Sequence, residues 1–166
     1  MAYINIREIT KNDAEILAHI QSVSWRSGFA GILEDSILKQ RTDVVRLTAM
    51  YARALSGDFG HGVLLELEGK PHCMAIWDKA REDWFDGAEL ICIHSLPDHW
   101  QEGYGSRVME RVLHDMKEAG YERVMLWVFE ENTRARRFYE KHGFHVTEHT
   151  KAERGPVEVM YTRDLQ

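Results

Sequence analysis

Polarity along the chain changes period several times, and each change marks an element. "YINIREI" places Tyr3, Ile4, Ile6 and Ile9 among polar residues in near alternation, which predicts a first strand. Thr10 then reads as a helix N-cap with Asp13 as an acid in the first turn, and Ile16, Leu17, Ile20 and Val23 recur at helical spacing. "SWRSGFAGILEDSILKQ" reads as a loop with the aromatic pair Trp25 and Phe29, followed by a short helix near Glu34 to Gln40. "DVVRLTAMYARAL" predicts another helix, ended by "SGDFG". "HGVLLELE" and "PHCMAIWDKA" flank "GK" and predict a hairpin. "GAELICIHSL" is almost uninterrupted in its apolar character and reads as a central strand. Alternation along it puts His94, with Leu90 and Cys92, on the face opposite Glu89.

The second half is equally patterned. Val108, Met109, Val112, Leu113 and Met116 share one face of a helix, and "YERVMLWVF" predicts a strand. "NTRARRFYEKHG" predicts a helix with Asn132 as cap and Gly143 as stop. "FHVTEHTKAE" and "GPVEVMYTRDL" form a closing hairpin. No linker or repeat interrupts this order, so residues 1–166 are read as one α/β (α+β) domain built around one sheet.

Charge and cysteine content narrow the chemistry. A formal net charge of -6 argues against broad nucleic-acid binding, which needs a basic surface. Cys73 and Cys92 lack metal-type spacing and read as reduced thiols of a cytoplasmic protein. "MAYINIREIT" lacks a basic stretch followed by an apolar run, so it does not read as a secretory signal. No apolar segment approaches the length that spans a membrane. "HGFHVTEH" looks metal-like, but His142 and His145 straddle a helix end, so no metal is expected.

The segment "LPDHWQEGYGSRVMERVL" carries the most specific chemistry. The first N–H groups of a helix have no intrahelical partner and sit at the positive end of its dipole. Gly103 and Gly105 allow the backbone to approach a ligand at that point, so a strand, a proline and this loop make a phosphate cradle. Loop glycines at such a junction are also ordinary turn chemistry. The motif "NTRARRFYEKHGF" that follows decides between the two.

Together these segments resemble the GCN5-related N-acetyltransferase (GNAT) family, in detail over roughly Gly87 to Val146. The family's pyrophosphate loop, Gln/Arg-x-x-Gly-x-Gly/Ala, aligns with Trp100 to Gly105; both glycines match, while Trp100 replaces the expected Gln or Arg. Asn132, Ala135, Phe138, Tyr139, Gly143 and Phe144 match the later "N-x-x-A-x-x-F/L-Y-x-x-x-G-F" pattern. "SWRSGFAGIL" resembles a looser N-terminal segment of the same family, which suggests that Trp25 and Phe29 line the acceptor site.

The resemblance implies a mixed, mostly antiparallel sheet flanked by helices, acetyl-CoA as co-substrate, an amine acceptor, and a family that often forms dimers. It assigns the pyrophosphate to backbone N–H groups from Gln101 through Glu102, Gly103, Tyr104 and Gly105 to Ser106. It assigns the pantetheine arm to the backbone of Ile93, His94 and Ser95 in a splay beside "RVMLWVF", with Asn132, Ala135, Phe138 and Tyr139 on the other side. Tyr139 is the implied general acid, since a phenol is protonated at neutral pH. Glu89 is the candidate general base, with His94 or a water chain as rivals. Of Arg134, Arg136 and Arg137, which belong to a solvated helix face, one is within reach of the 3′-phosphate of coenzyme A. A non-catalytic acyl-CoA-binding domain is the alternative reading, kept open by Trp100.

Overall fold

The computed structural model describes residues 2–153 and 155–166. The strands are β1 (Ile4–Glu8), β2 (His61–Leu67), β3 (Lys70–Lys79), β4 (Ala88–Ser95), β5 (Arg123–Phe129), β6 (His145–Lys151) and β7 (Glu158–Asp164). The helices are α1 (Ala14–Gly28), α2 (Asp35–Arg41), α3 (Val44–Leu55), α4 (Tyr104–Glu118) and α5 (Thr133–Lys141), and a 3-10 turn spans Pro97–His99. One seven-stranded sheet runs β1-β2-β3-β4-β5-β7-β6. Every neighbouring pair is antiparallel except β4 and β5. The mixed sheet flanked by helices expected from the sequence is the fold observed.

Both faces of the sheet are covered. The apolar stripe of α4, Val108 to Met116, is buried against Val63, Leu65, Leu90, Val124 and Leu126 on one face. Each such side chain contributes roughly 2 kcal/mol by leaving water. α1 and α3 cover the other face through Leu17, Ala18, Ile20, Leu47 and Tyr51, packed on Leu64, Met74 and Ile76. The buried side of α1 also carries Gln21, Ser22 and Ser24. Partners there include the Tyr51 hydroxyl donating to Gln21 and Ser22 Oγ donating to the Thr42 carbonyl at 2.7 Å.

Two local expectations change. Thr10 is not the cap of α1. Asp13 stands at that position, and its carboxylate turns back to accept from both terminal nitrogens of Arg7 at 2.9 Å and from the Thr10 N–H at 2.7 Å. The β2–β3 turn is centred on Glu68 and Gly69, with φ of 51° and 77°. Positive φ at both central residues suits the right-handed twist of a hairpin.

Candidate active site

The sheet opens between its two central strands. β4 and β5 are paired only at Ala88–Val124 and Glu89–Met125. Beyond them β4 carries an irregularity: Trp77 pairs with Leu90, but the next β3 residue, Ile76, pairs with Cys92. The extra residue, Ile91, is a bulge, which bends a strand and raises its twist. The strands part there, and the β5-side backbone of β4 is left without a strand partner.

The same bulge overturns the alternation argument. Ala88 and Leu90 belong to the α4-side core, so Glu89 faces the α1 side. After the extra residue, Cys92 packs with the α1-side cluster and His94 meets Trp25 of α1. Glu89, Cys92 and His94 therefore share one face.

Glu89 is buried, at 1% exposure. Its two oxygens accept from the Arg81 N–H at 3.0 Å, Nε at 3.1 Å and Nη2 at 2.7 Å. A carboxylate has about four acceptor positions, so roughly one remains open. His94 Nε2 accepts from the Trp25 indole at 3.2 Å, which places its proton on Nδ1. Burial lowers the imidazole pKa to about 4, an effect only partly offset by the Ile93 backbone. His94 is thus neutral at pH 7, with its free lone pair directed to the Trp25 indole.

Tyr139 packs against Phe138 and Phe144 at ring distances of 5.7 and 5.9 Å. Burial, with a smaller contribution from Cys92, pushes its phenol well above the usual range, against the opposing influence of Arg134. The phenol is a proton donor at neutral pH. Burial also raises both thiols, Cys73 and Cys92, to about 12. Neither is a thiolate, so neither is an activated nucleophile.

The loop into α4 has the geometry of an anion cradle. Gln101 and Gly103 adopt φ of 68° and 89°. Gly103 occupies the N-cap position without a side-chain cap. The N–H groups from Gln101 to Ser106, including those of Glu102 and Tyr104, have no protein acceptor among the described residues. A Cβ on Gly105 would stand 3.5 Å from the Phe138 ring, so the start of α4 and the side of α5 lie in near contact. Glu102 turns its carboxylate to His99 Nδ1 at 2.7 Å, and Ser106 Oγ bonds His142 Nε2 at 3.0 Å.

Trp100 is tied down on both sides. Its indole donates to the Ser95 carbonyl at 3.1 Å, and the Arg134 guanidinium lies over its ring at 3.7 Å. Arg134 stays exposed, as its helix pattern predicts, with its guanidinium laid over that ring. Arg136 is likewise engaged, with Tyr161 Oη at 2.8 Å and the Glu130 carbonyl at 3.0 Å. Ser95, assigned to the cofactor arm, has its carbonyl taken by Trp100 and its hydroxyl on Cys73 Sγ at 3.2 Å. Asn132 caps α5 by accepting from the Ala135 N–H at 3.3 Å.

On the α1 side, Trp25 and Phe29 meet edge-on at 4.9 Å, and Phe29 meets Phe129 at 5.1 Å. The aromatic pair is joined by a third ring that sequence reasoning missed, because Phe129 reads as an ordinary strand end. Arg81 and Glu158 were missed as well. Arg81 comes from a loop whose approach to Glu89 has no signature along the chain. Glu158 sits in a strand that reads as half of the closing hairpin.

Comparison with known proteins agrees with this geometry. The chain matches the sequence model of the "Acetyltransferase (GNAT) family" over residues 32–144. It is 27% identical over 146 residues to a Mycobacterium tuberculosis protein named "Probable N-acetyltransferase", covering 86% of this chain and 80% of that one. Its fold is shared with the PaiA N-acetyltransferase of Thermoplasma acidophilum, solved with coenzyme A, at a TM-score of 0.77, 19% identity, and coverage of 98% and 99% of the two chains. It is shared also with YncA of Salmonella typhimurium, solved with its cofactor acetyl-CoA, at a TM-score of 0.69, 20% identity, and coverage of 98% and 94%. The motifs, the parted central strands and the family match converge: the chain belongs to the GNAT family of acetyltransferases.

Proposed function

We propose that residues 1–166 act as one domain that transfers an acetyl group from acetyl-CoA to an amine by direct attack. The observation that carries this reading is the opening between β4 and β5 beside the uncapped N-terminus of α4. An extended arm enters such an opening as an added strand, while free N–H groups at a helix start hold its phosphates. Complexes of two fold neighbours with coenzyme A and acetyl-CoA support the choice of ligand.

In this reading the N–H groups from Gln101 to Ser106 bind the pyrophosphate. The exposed β4 backbone around Ile93 and His94 aligns the arm and polarises the thioester carbonyl. Asn132, Ala135 and Phe138 form the opposite wall, and Arg134, held on Trp100, adds a cation near the phosphates. The Glu89 oxygen position left open by Arg81 binds one water, which relays the proton from the amine. Tyr139 then donates its proton to the departing thiolate. The raised thiols of Cys73 and Cys92 favour direct attack over an acyl-enzyme. Trp25 and Phe29 contact the acceptor.

Acetyl-CoA should raise the melting temperature, and a panel of primary amines should release free thiol with acetylated product. Stabilisation without thiol release on any amine would favour a non-catalytic acyl-CoA-binding domain instead. No stabilisation by any acyl-CoA would refute both.

A further inference from the structure

We infer that Glu158 binds a second positive charge of the acceptor, so that the acceptor is a primary amine joined by an apolar chain to another cation. The inference rests on amine acetylation as proposed above and adds the class of amine. Glu158 is 7% exposed, and its Oε2 has no hydrogen-bond partner among the described residues. Burying a carboxylate without a partner is costly, and folded proteins keep such groups where a ligand completes them.

The sheet register shows what surrounds it. Glu158 stands opposite Phe129 on β5 and Lys151 on β6. Residues Val159 and Tyr161 belong to the α4-side core, so Glu158 faces the other side, with Phe129. Lys151 is the cross-strand cation that would ordinarily neutralise it. Its ammonium instead lies 4.3 Å from the centre of the Trp127 ring. The Trp127 indole donates to Glu82 at 3.2 Å, which places a carboxylate beside that ring as well. Lys151 is thus drawn past Glu158 to the next strand, and no salt bridge to Glu158 forms among the described residues.

A run of ring contacts leads from His94 to Phe129, the residue that stands opposite Glu158. His94 bonds Trp25, Trp25 meets Phe29, and Phe29 meets Phe129. Two strand spacings separate β4 from β7, which amounts to about 10 Å or more. Glu158 is too far away to touch a nitrogen attacking beside β4. The distance suits a second cation at the end of about four or five methylenes lying on the aromatic rings.

Two matched probes test this: 1,5-diaminopentane and 1-aminopentane, each assayed by thiol release with acetyl-CoA. The native chain should prefer the diamine by at least about tenfold in kcat/KM. Glu158→Gln should lose most of that preference while the rate with 1-aminopentane changes less than about twofold. Glu158→Gln should melt no lower than the native chain, because it removes an unpartnered carboxylate. Lys151→Met should keep the preference. Equal use of both amines, or equal slowing of both by Glu158→Gln, or loss of the preference in Lys151→Met, overturns the inference. Binding gives an independent readout: with coenzyme A present, the diamine should raise the melting temperature of the native chain and not of Glu158→Gln. Stabilisation by coenzyme A with none added by the diamine overturns this inference and leaves the acetyl-CoA reading standing. No response to coenzyme A overturns the reading beneath it.

Discussion

The Arg134 guanidinium lies 3.7 Å from the centre of the Trp100 ring, so the first turn of α5 is joined to the loop that leads into α4. The two residues stand on opposite sides of the opening between β4 and β5. Trp100 occupies the loop position where the family carries Gln or Arg, and the stack brings an arginine to that same place. A cation over an indole is worth about 0.5–2 kcal/mol, depending on desolvation. Arg134→Ala and Trp100→Ala should therefore each weaken coenzyme A binding roughly fivefold to tenfold. The double variant should be no weaker than the worse single one, because both remove the same stack. Calorimetric titration of the four proteins measures this.

Tyr139→Phe removes the proposed proton donor and keeps the ring that packs on Phe138 and Phe144. Turnover should fall by about a hundredfold, the lower end for general acid catalysis. Acetyl-CoA should stabilise the variant as it does the native chain. Full turnover in steady-state assays would remove Tyr139 from the chemistry.

Arg81 is 58% exposed at its side chain, while Glu89 is almost fully enclosed. Arg81→Ala would leave the buried carboxylate with the backbone N–H at position 81 and without the guanidinium. Removing one member of a buried pair is strongly destabilising, and the exposure of Arg81 places the expected loss at about 2–3 kcal/mol. Arg81→Ala with Glu89→Gln should recover part of it, since the stranded charge is gone. Urea denaturation of the three variants measures both effects.

His94 links stability to acid. Its folded pKa lies near 4 and its ordinary value is 6.5, so between these limits the unfolded chain holds more protons. Stability is then complete above pH 6.5 and falls as pH drops toward 4, by up to about 3 kcal/mol from this group. His94→Gln should flatten that part of the curve of melting temperature against pH. An unchanged slope would show that the imidazole is not what the acid limb reports.

Local pattern carried much of the fold. Element order, the α4 stripe, the Asn132 cap and the Gly103 bend were legible because each depends on residues within about one helical turn of one another. Tyr139 and the glycine loop were legible through the motifs that bind them to a family. The sequence by itself determined the family and named the candidate residues for its chemistry. The tertiary structure alone decided how they face one another. A single extra residue at Ile91 turned His94 onto the side of Glu89, and no periodicity along β4 announces a bulge. Arg81 on Glu89, Arg134 on Trp100, and Lys151 drawn from Glu158 to Trp127 are contacts between segments distant in sequence or between side chains with several available partners. Such choices are made by packing and charge in three dimensions, where burial sets which carboxylate keeps a partner and which is left for a ligand.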